Sequence, residues 1–191
     1  MKTNNIDLNV VHGFGDEWER FDQSKLTLRE STIIFNKYFS NFPWSKINEN
    51  SIGFDLGCGS GRWAKLMAPK VGHLHLIDPS SAIDVAKSNL ADFKNCTFHK
   101  SSVDFIDLED SSMDFGYSLG VLHHIPNTKN ALISCVRKLK PGAPFLIYLY
   151  YNFDNKPKWY RTLWFFSEIF RKFISKTPHN IRYFLSQLIA V

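Results

Sequence analysis

The chain has 191 residues, of which 44% are hydrophobic and 21% are charged, and its formal net charge is +5. These values predict a globular domain with a sizeable core, with or without an appendage, and exclude an intrinsically disordered chain. Three cysteines without a CxxC pair argue against a disulfide framework or a zinc knuckle. The sequence shows neither a signal-peptide segment nor an apolar run of ~20 residues, which favours a cytoplasmic setting.

Short apolar runs alternate with segments of helical spacing along most of the chain. Leu28, Phe35 and Phe39 lie at helical spacing and predict an N-terminal helix over 25–42, which the sequence NFPW ends. The predicted strands after it are 52–56, 73–78, 96–99, 113–119 and 144–150, and the predicted helices between them are 62–68, 80–90 and 128–139. This alternation predicts an α/β fold with a mainly parallel sheet and helices on both faces. In such sheets, ligands bind beyond the carboxyl ends of the strands.

Three glycines follow the first predicted strand in the sequence FDLGCGSGRW, residues 54–63. Such a cluster indicates a loop whose backbone comes close to a ligand, although a plain tight turn is the alternative interpretation. The dinucleotide fingerprint G-x-G-x-x-G needs a glycine where this chain has Arg62, and no Gly-Lys-Ser/Thr follows for a phosphate-binding P-loop. Asp55, at the end of the strand, would repel a pyrophosphate and attract a cationic group. A dehydrogenase-type nucleotide fold is therefore disfavoured.

Four segments together resemble one known family. They are FDLGCGSGRWA (54–64), LHLIDPS (74–80), SSVDFIDLEDSSMDFGYSLGVLHHIPN (101–127) and RKLKPGAPFLIYLY (137–150). In this order and spacing, over about residues 50–150, they are similar to class I S-adenosylmethionine-dependent methyltransferases of type 11, the branch related to ubiquinone and menaquinone biosynthesis. The resemblance implies a Rossmann-like, doubly wound sheet in the order 3-2-1-4-5, with S-adenosyl-L-methionine as cofactor.

The resemblance also implies a set of cofactor-binding residues at the carboxyl ends of the strands. These are Asp55, Gly57, Cys58, Gly59, Gly61, Asp78, Pro79, Ser102, Val103, Leu119 and Gly120. The glycine loop and Asp55 would hold the methionine part, with Cys58 acting through its backbone, and Asp78 would accept hydrogen bonds from the ribose. Pro79, Ser102 and Val103 would contact the adenine, although Ser102 stands where the family usually has an acid. Leu119 and Gly120 would line the cleft beside the reactive methyl group.

Two adjacent histidines, His123 and His124, follow the fourth predicted strand and are candidates for a general base, with His123 slightly favoured because it is closer to the strand end. The alternative is that they only pack or cap the following turn. The candidates for substrate contact are Tyr148, Tyr150, Tyr151 and Asn152. His73 and His75 share a strand face, but without a third ligand nearby no metal site is predicted.

The predicted function is methyl transfer to a small-molecule or lipid-like acceptor by in-line displacement. The alternative is a non-catalytic regulatory or scaffold domain that binds S-adenosylmethionine. A nucleic-acid substrate is not expected, because the chain lacks an Asn/Asp-Pro-Pro-aromatic motif for a flipped base.

The C-terminal segment differs from the rest in composition. Residues 151–191 carry seven basic and two acidic residues and eleven of the 29 aromatic residues, whereas residues 1–150 have no net charge. We therefore predict a helical segment over 1–45, a cofactor-binding core over 46–152, and a basic, aromatic helical segment over 153–191. Within the last, an apolar stripe is formed by Trp159, Leu163, Phe166, Phe170 and Phe173.

Two interpretations of this segment stay open. The final two strands of the family are not evident after residue 151, so the chain is expected to be a fragment whose helix belongs to an inserted lid. The other interpretation is a basic, aromatic face that rests on an anionic membrane or on a partner.

Overall fold

A computed structural model describes residues 5–20, 27–150, 156–175 and 177. Five strands form one parallel sheet in the order β3-β2-β1-β4-β5. They are β1 (Ile52–Leu56), β2 (His73–Ile77), β3 (Cys96–His99), β4 (Phe115–Leu119) and β5 (Phe145–Tyr148). The prediction of a Rossmann-like sheet in the order 3-2-1-4-5 is confirmed. Within the described residues, no strand follows β5.

The described part of the chain also contains six α-helices. They are α1 (Leu8–Arg20), α2 (Leu28–Tyr38), α3 (Ala64–Met67), α4 (Ala82–Asn89), α5 (Thr128–Lys138) and α6 (Lys158–Ser175). The start of α2 is set by a capping box, in which Glu30 N–H donates to the Thr27 hydroxyl at 3.2 Å and Thr27 N–H donates to the Glu30 carboxylate at 3.0 Å. The start of α5 is capped by Asn127, whose side-chain oxygen accepts from Asn130 N–H at 3.0 Å.

Several element boundaries differ from the prediction. Helix α1 lies inside the segment 1–45 that is predicted to be helical, but no separate helix is predicted at its residues, because their polar side chains and two glycines obscure the helical spacing of the apolar face. Pro69 does not end the helix before it but lies in a 3₁₀ turn, Ala68–Lys70, that continues α3. Strand β4 begins at Phe115 rather than residue 113, since Met113 makes only an isolated bridge to Leu139.

The sheet separates two hydrophobic clusters. One holds α2 and α3 against the sheet through side chains such as Phe35, Phe39 and Met67, and the other includes Phe54 and Cys135. Between β1 and β4, glycine and phenylalanine pair twice, Gly53 with Phe115 and Gly116 with Phe54. A Cβ on Gly53 would lie 2.3 Å from the Phe115 ring, and one on Gly116 would lie 2.5 Å from the Phe54 ring. Each glycine therefore makes room for an aromatic ring of the other strand.

The chain divides into two compact units, residues 1–150 and 151–191. In the second unit, α6 exposes its whole predicted apolar stripe, with Trp159 at 66% and Phe173 at 73% exposure. Glu168 on the same helix accepts from Arg171 at 3.1 Å. No helix in the described ranges is long and apolar enough to cross a membrane.

Candidate active site

A cavity of about 140 Å³ opens beyond the carboxyl ends of the strands, where the sheet order reverses between β1 and β4. Ten of the predicted cofactor and catalytic residues line it: Gly57, Cys58, Gly59, Asp78, Pro79, Ser102, Val103, Leu119, Gly120 and His124. Three others, Asp55, Gly61 and His123, do not line it. The fold thus brings residues from four separate segments of the sequence to one place.

The glycine loop adopts a backbone that other residues rarely reach. Gly57, Gly59 and Gly61 have φ values of 76°, 52° and 80°. A Cβ on Gly57 would meet Val121 at 2.3 Å, so the loop also needs glycine for space. The loop is tied to the end of β2, because the N–H groups of Gly57 and Cys58 both donate to the Ile77 carbonyl, at 2.7 and 3.3 Å.

Asp78 holds the loop from the other side. Its Oδ2 accepts from Gly59 N–H at 3.0 Å, and its Oδ1 accepts from the backbone N–H and the hydroxyl of Ser80, at 2.9 and 2.6 Å. An ionised carboxylate has about four lone-pair sites, so these three bonds leave capacity for a ligand hydroxyl. Asp78 therefore has a structural role that the sequence did not reveal.

Asp55 lies beneath the glycine loop and is only 1% exposed. Its Oδ2 has no hydrogen-bond partner among the described residues. Burial raises the pKa of Asp55 to about 8, while the neighbouring Tyr117 hydroxyl and the Arg62 charge lower it by smaller amounts. A carboxyl in this state is protonated at neutral pH, and a cationic group placed nearby would favour its ionised form.

Cys58 contributes to the cavity through its position in the loop rather than through its thiol. Burial raises the pKa of that thiol well above its usual value, so the thiol stays protonated and unreactive.

Helix α1 forms the wall of the cavity that faces the glycine loop. Seven residues at its start and along one face line the cavity: Asn5, Ile6, Asp7, Val10, Val11, Phe14 and Trp18. Trp18 lies directly against the loop, where a Cβ on Gly59 would be 3.0 Å from the indole. The four-residue spacing of Val10, Phe14 and Trp18 is the signal that could have predicted this face.

Two further polar residues that the prediction did not include line the cavity. Arg62 lies between two indoles, with its guanidinium carbon 4.1 Å from the Trp63 ring centre and 5.5 Å from that of Trp18. Ser101 carries a buried hydroxyl that has no partner among the described residues. A guanidinium can bind a carboxylate, and an unpaired hydroxyl can bind a polar edge of a ligand.

The two candidate bases differ in position. His124 lines the cavity and packs edge-on against Phe14, with ring centres 5.0 Å apart. His123 lies against Tyr150, with ring centres 4.3 Å apart, and both its ring nitrogens are buried without a partner in the described part of the chain. Burial lowers the pKa of both histidines, so both are neutral at neutral pH and able to accept a proton.

The remaining predicted contacts are only partly described. Tyr148 and Tyr150 are exposed at this edge of the sheet, at 42% and 66%. Tyr151 and Asn152 lie outside the described residues.

The ring nitrogens of His73 and His75 lie close to side chains of strand β3. His73 Nε2 is 2.9 Å from the Thr97 hydroxyl, and His75 Nδ1 is 3.0 Å from His99 Nε2. Among the residues the structure describes, no group of three potential ligands is arranged to hold a metal ion.

Comparison with known proteins shows which proteins the core is similar to. Residues 54–147 match a family described as a methyltransferase domain. Phosphoethanolamine N-methyltransferase 2 of Caenorhabditis elegans is 34% identical over 100 residues, which are 50% of this chain and 23% of that protein. A ubiquinone biosynthesis O-methyltransferase of Alkalilimnicola ehrlichii is 25% identical over 134 residues, which are 69% of this chain and 53% of that protein.

A solved structure with the same fold is a Methanococcus maripaludis protein described as an S-adenosyl-L-methionine-dependent methyltransferase. The two superpose with a TM-score of 0.61 at 19% identity, over 100% of this chain and 87% of that one. The core, residues 54–147, is therefore similar to this methyltransferase domain family, and the chain shares the fold of the solved structure. The chain spans about a quarter and about half of the two curated relatives' lengths.

Proposed function

We propose that this chain transfers a methyl group from S-adenosylmethionine to a small-molecule acceptor. The observation that carries the proposal is the convergence of the glycine loop, Asp78 and the neutral His124 on one cavity at the switch point of the sheet. The named activities of the two relatives, methylation of phosphoethanolamine and methylation in ubiquinone biosynthesis, support a small-molecule or lipid-like acceptor.

The residues of the cavity fit this cofactor. The glycine loop admits close approach to its backbone, and Asp78 has a lone pair left for a ribose hydroxyl. Arg62 would bind the carboxylate of the methionine part, and Asp55 would support its ammonium group from beneath the loop. Ser101, Ser102 and Val103 would contact the adenine.

When bound, the cofactor supplies a methyl group on a sulfonium, which is a good leaving group. The main task of the chain is then to align the acceptor with that methyl group, and alignment contributes about 7–11 kcal/mol to such reactions. The neutral imidazole of His124 would accept the acceptor's proton at the cavity wall. We favour His124 over His123 as this base because His124 lines the cavity.

A two-part experiment tests the proposal. Calorimetric titration with S-adenosylmethionine and S-adenosylhomocysteine should show binding to one site. Incubation of the chain and an isotope-labelled methyl donor with cell extract, followed by mass spectrometry, should show label in a small molecule. Binding without transfer would favour the non-catalytic regulatory alternative, and the absence of binding would refute both.

We also propose that α6 contacts an anionic membrane surface. Its exposed stripe of Trp, Leu and Phe runs about 21 Å from Trp159 to Phe173. The same helix carries four basic residues and one acidic residue, Glu168, which pairs with Arg171. The basic residues lie on the side away from the stripe, together with the exposed Phe165 and Ile169, and such a basic, aromatic helix is suited to the boundary of an anionic bilayer. Such a contact would bring the chain to a lipid-like acceptor.

Vesicle sedimentation tests the membrane contact. The chain should bind phosphatidylcholine vesicles that contain phosphatidylglycerol, and bind pure phosphatidylcholine vesicles much less. Replacing Phe166 and Phe170 by Ser, or Lys158 and Arg161 by Glu, should weaken this binding. Lys65→Glu is the control, because Lys65 is an exposed residue of α3, outside the α6 surface. Equal binding to both vesicle types, or self-association through α6 without vesicle binding, would contradict the proposal.

A further inference from the structure

The start of α1 is fastened to two distant loops by a single residue. Asn5 N–H donates to the Asp104 carboxylate at 2.6 Å. The Asn5 side-chain amide donates to the Asn127 carbonyl at 2.8 Å and accepts from the Asn127 N–H at 2.6 Å. These partners are 99 and 122 residues away along the sequence. These bonds hold the segment before α1 against the loops that follow β3 and β4.

Both partners belong to elements that also shape the cavity. Asp104 lies in the 3₁₀ turn Val103–Phe105, directly after Ser102 and Val103 in the cavity wall. Asn127 caps α5 and follows the turn that carries His124 and Ile125, which also line the cavity. The position of α1 is therefore coupled to the groups that would meet the adenine and the acceptor.

The hydrogen bonds of Asn5 are short, at 2.6 to 2.8 Å, but they are exposed to solvent. All three hydrogen bonds of Asn5 lie at exposed positions. Water competes for such bonds, so each contributes little net stability and can open without unfolding the core. The middle of α1 is held differently, by close packing of Gly15 against Ser81 and of Phe14 against His124. The N-terminal end of α1 is thus the end that can open.

We infer that Asn5 is a positioning residue that holds α1 closed over the cofactor cavity, and that opening at Asn5 controls cofactor entry and release. The inference rests on the proposed function for the identity of the ligand. Because α1 supplies the wall opposite the glycine loop, a ligand seated between them is released faster when α1 is no longer fastened. A bound ligand that touches Val103 in turn stabilises the closed position.

Stopped-flow fluorescence of the full chain measures the effect, since Trp18 in the cavity wall reports on ligand. The probe is S-adenosylhomocysteine. Asn5→Ala, which removes two bonds, and Asp104→Ala, which removes one, should each raise its dissociation rate by about 5- to 20-fold. Asp104→Asn keeps an oxygen for the Asn5 N–H and should restore a rate near that of the unaltered chain. Glu17→Ala, at an exposed position of α1, is the control and should change nothing.

Hydrogen exchange of the α1 amides without ligand gives a second, independent measurement. Exchange over residues 8–20 should be faster in Asn5→Ala and Asp104→Ala than in the unaltered chain, while exchange in β1 and β4 stays the same. Unchanged exchange in α1 together with dissociation rates within twofold of the unaltered chain would overturn the inference. Failure of the unaltered chain to bind S-adenosylhomocysteine would instead refute the proposed function, and the exchange measurement would still test the fastening by Asn5.

Discussion

Asp78 combines two roles, since its carboxylate anchors Gly59 and Ser80 and faces the cavity. We expect Asp78→Ala to weaken binding of both S-adenosylmethionine and S-adenosylhomocysteine by on the order of 1.5–3 kcal/mol, the range for hydrogen bonds to a charged group. Calorimetry measures both affinities, and circular dichroism checks that the fold persists. Asp92→Ala is the control, because Asp92 is exposed and does not line the cavity. Unchanged affinity in Asp78→Ala would contradict a ribose contact.

Asp55 makes the stability of the chain depend on pH in an unusual direction. Its pKa is raised from 3.8 to about 8 in the folded chain, so the folded state binds more protons than the unfolded state between these values. The contribution of Asp55 to stability is therefore fully present below pH 4 and is lost as the pH rises towards 8. Asp55→Asn removes this titration. Between pH 4 and 8, the free energy of unfolding of the variant should therefore rise relative to that of the unaltered chain by about 1.4 kcal/mol per pH unit.

Urea unfolding from pH 4 to 8 measures this difference in the free energy of unfolding. A pH-independent difference between the two proteins would show that Asp55 titrates normally. The same group offers a test of the cofactor's position, because an ammonium close to Asp55 lowers its pKa and releases a proton on binding. Calorimetry in buffers of different ionisation enthalpy detects that proton.

Variants of His123 and His124 distinguish the contribution of substrate alignment from that of proton transfer. His124→Gln should lower turnover roughly 10²–10⁴-fold with little change in cofactor affinity, whereas His123→Gln should have a smaller effect. Because burial lowers the pKa of His124, the acid limb of the activity profile should lie below pH 6.5. Equal turnover in both variants would show that alignment alone suffices. A larger loss in His123→Gln would restore the expectation based on distance from the strand end.

Strands β1 and β4 depend on a reciprocal pairing of glycine with phenylalanine. Gly53→Ala and Gly116→Ala should each lower the free energy of unfolding by about 1–3 kcal/mol, because the added methyl group overlaps a buried ring. Gly13→Ala is the matched control. Apart from its own helix backbone and chain neighbours, no atom of the described residues lies within 4 Å of the added methyl there, and alanine favours the helix by roughly 0.5–1 kcal/mol. Urea unfolding would contradict the pairing if Gly53→Ala were as stable as the unaltered chain.

An element could be predicted from the sequence when neighbouring residues determine it, and could not when contacts between distant residues determine it. Strands β1 to β5 were predicted because each is a local run of apolar residues, and α2 because its capping box and apolar spacing are contiguous. The bounds of α1 within the predicted helical segment 1–45 could not be predicted, because polar residues surround an apolar face that only the cavity explains. The Gly53–Phe115 pairing could not be predicted, since it depends on the register of two strands 62 positions apart.

The candidate site divides in the same way. The glycine loop and Asp78 carry local motifs, so the prediction included them, and the structure places both at the cavity. In the sequence, Arg62 was used only as the residue that breaks the dinucleotide fingerprint. Its position between two indoles makes it part of the cavity wall. The bonds of Asn5 to Asp104 and Asn127 leave no local pattern, because they are specified by the folded topology alone.

At the scale of the whole molecule, charge and structure divide near the same place. Residues 1–150 have no net charge, and they form one compact unit that contains the sheet, both hydrophobic clusters and every described residue that lines the cavity. Residues 151–191 form the other unit and carry all of the net positive charge. Binding of the cofactor and binding to an anionic surface should therefore be separable.

A chain that ends at Tyr150 tests this separation. We expect it to fold with a cooperative thermal transition, because every buried residue of the two clusters precedes its end. It should bind S-adenosylhomocysteine within about twofold of the full chain and lose sedimentation with anionic vesicles. Its solubility should be lowest near neutral pH, where its net charge is close to zero. Loss of cofactor binding in a folded chain 1–150 would show that residues 151–191 take part in the site, and retained vesicle binding would place the membrane contact on the sheet unit instead of α6.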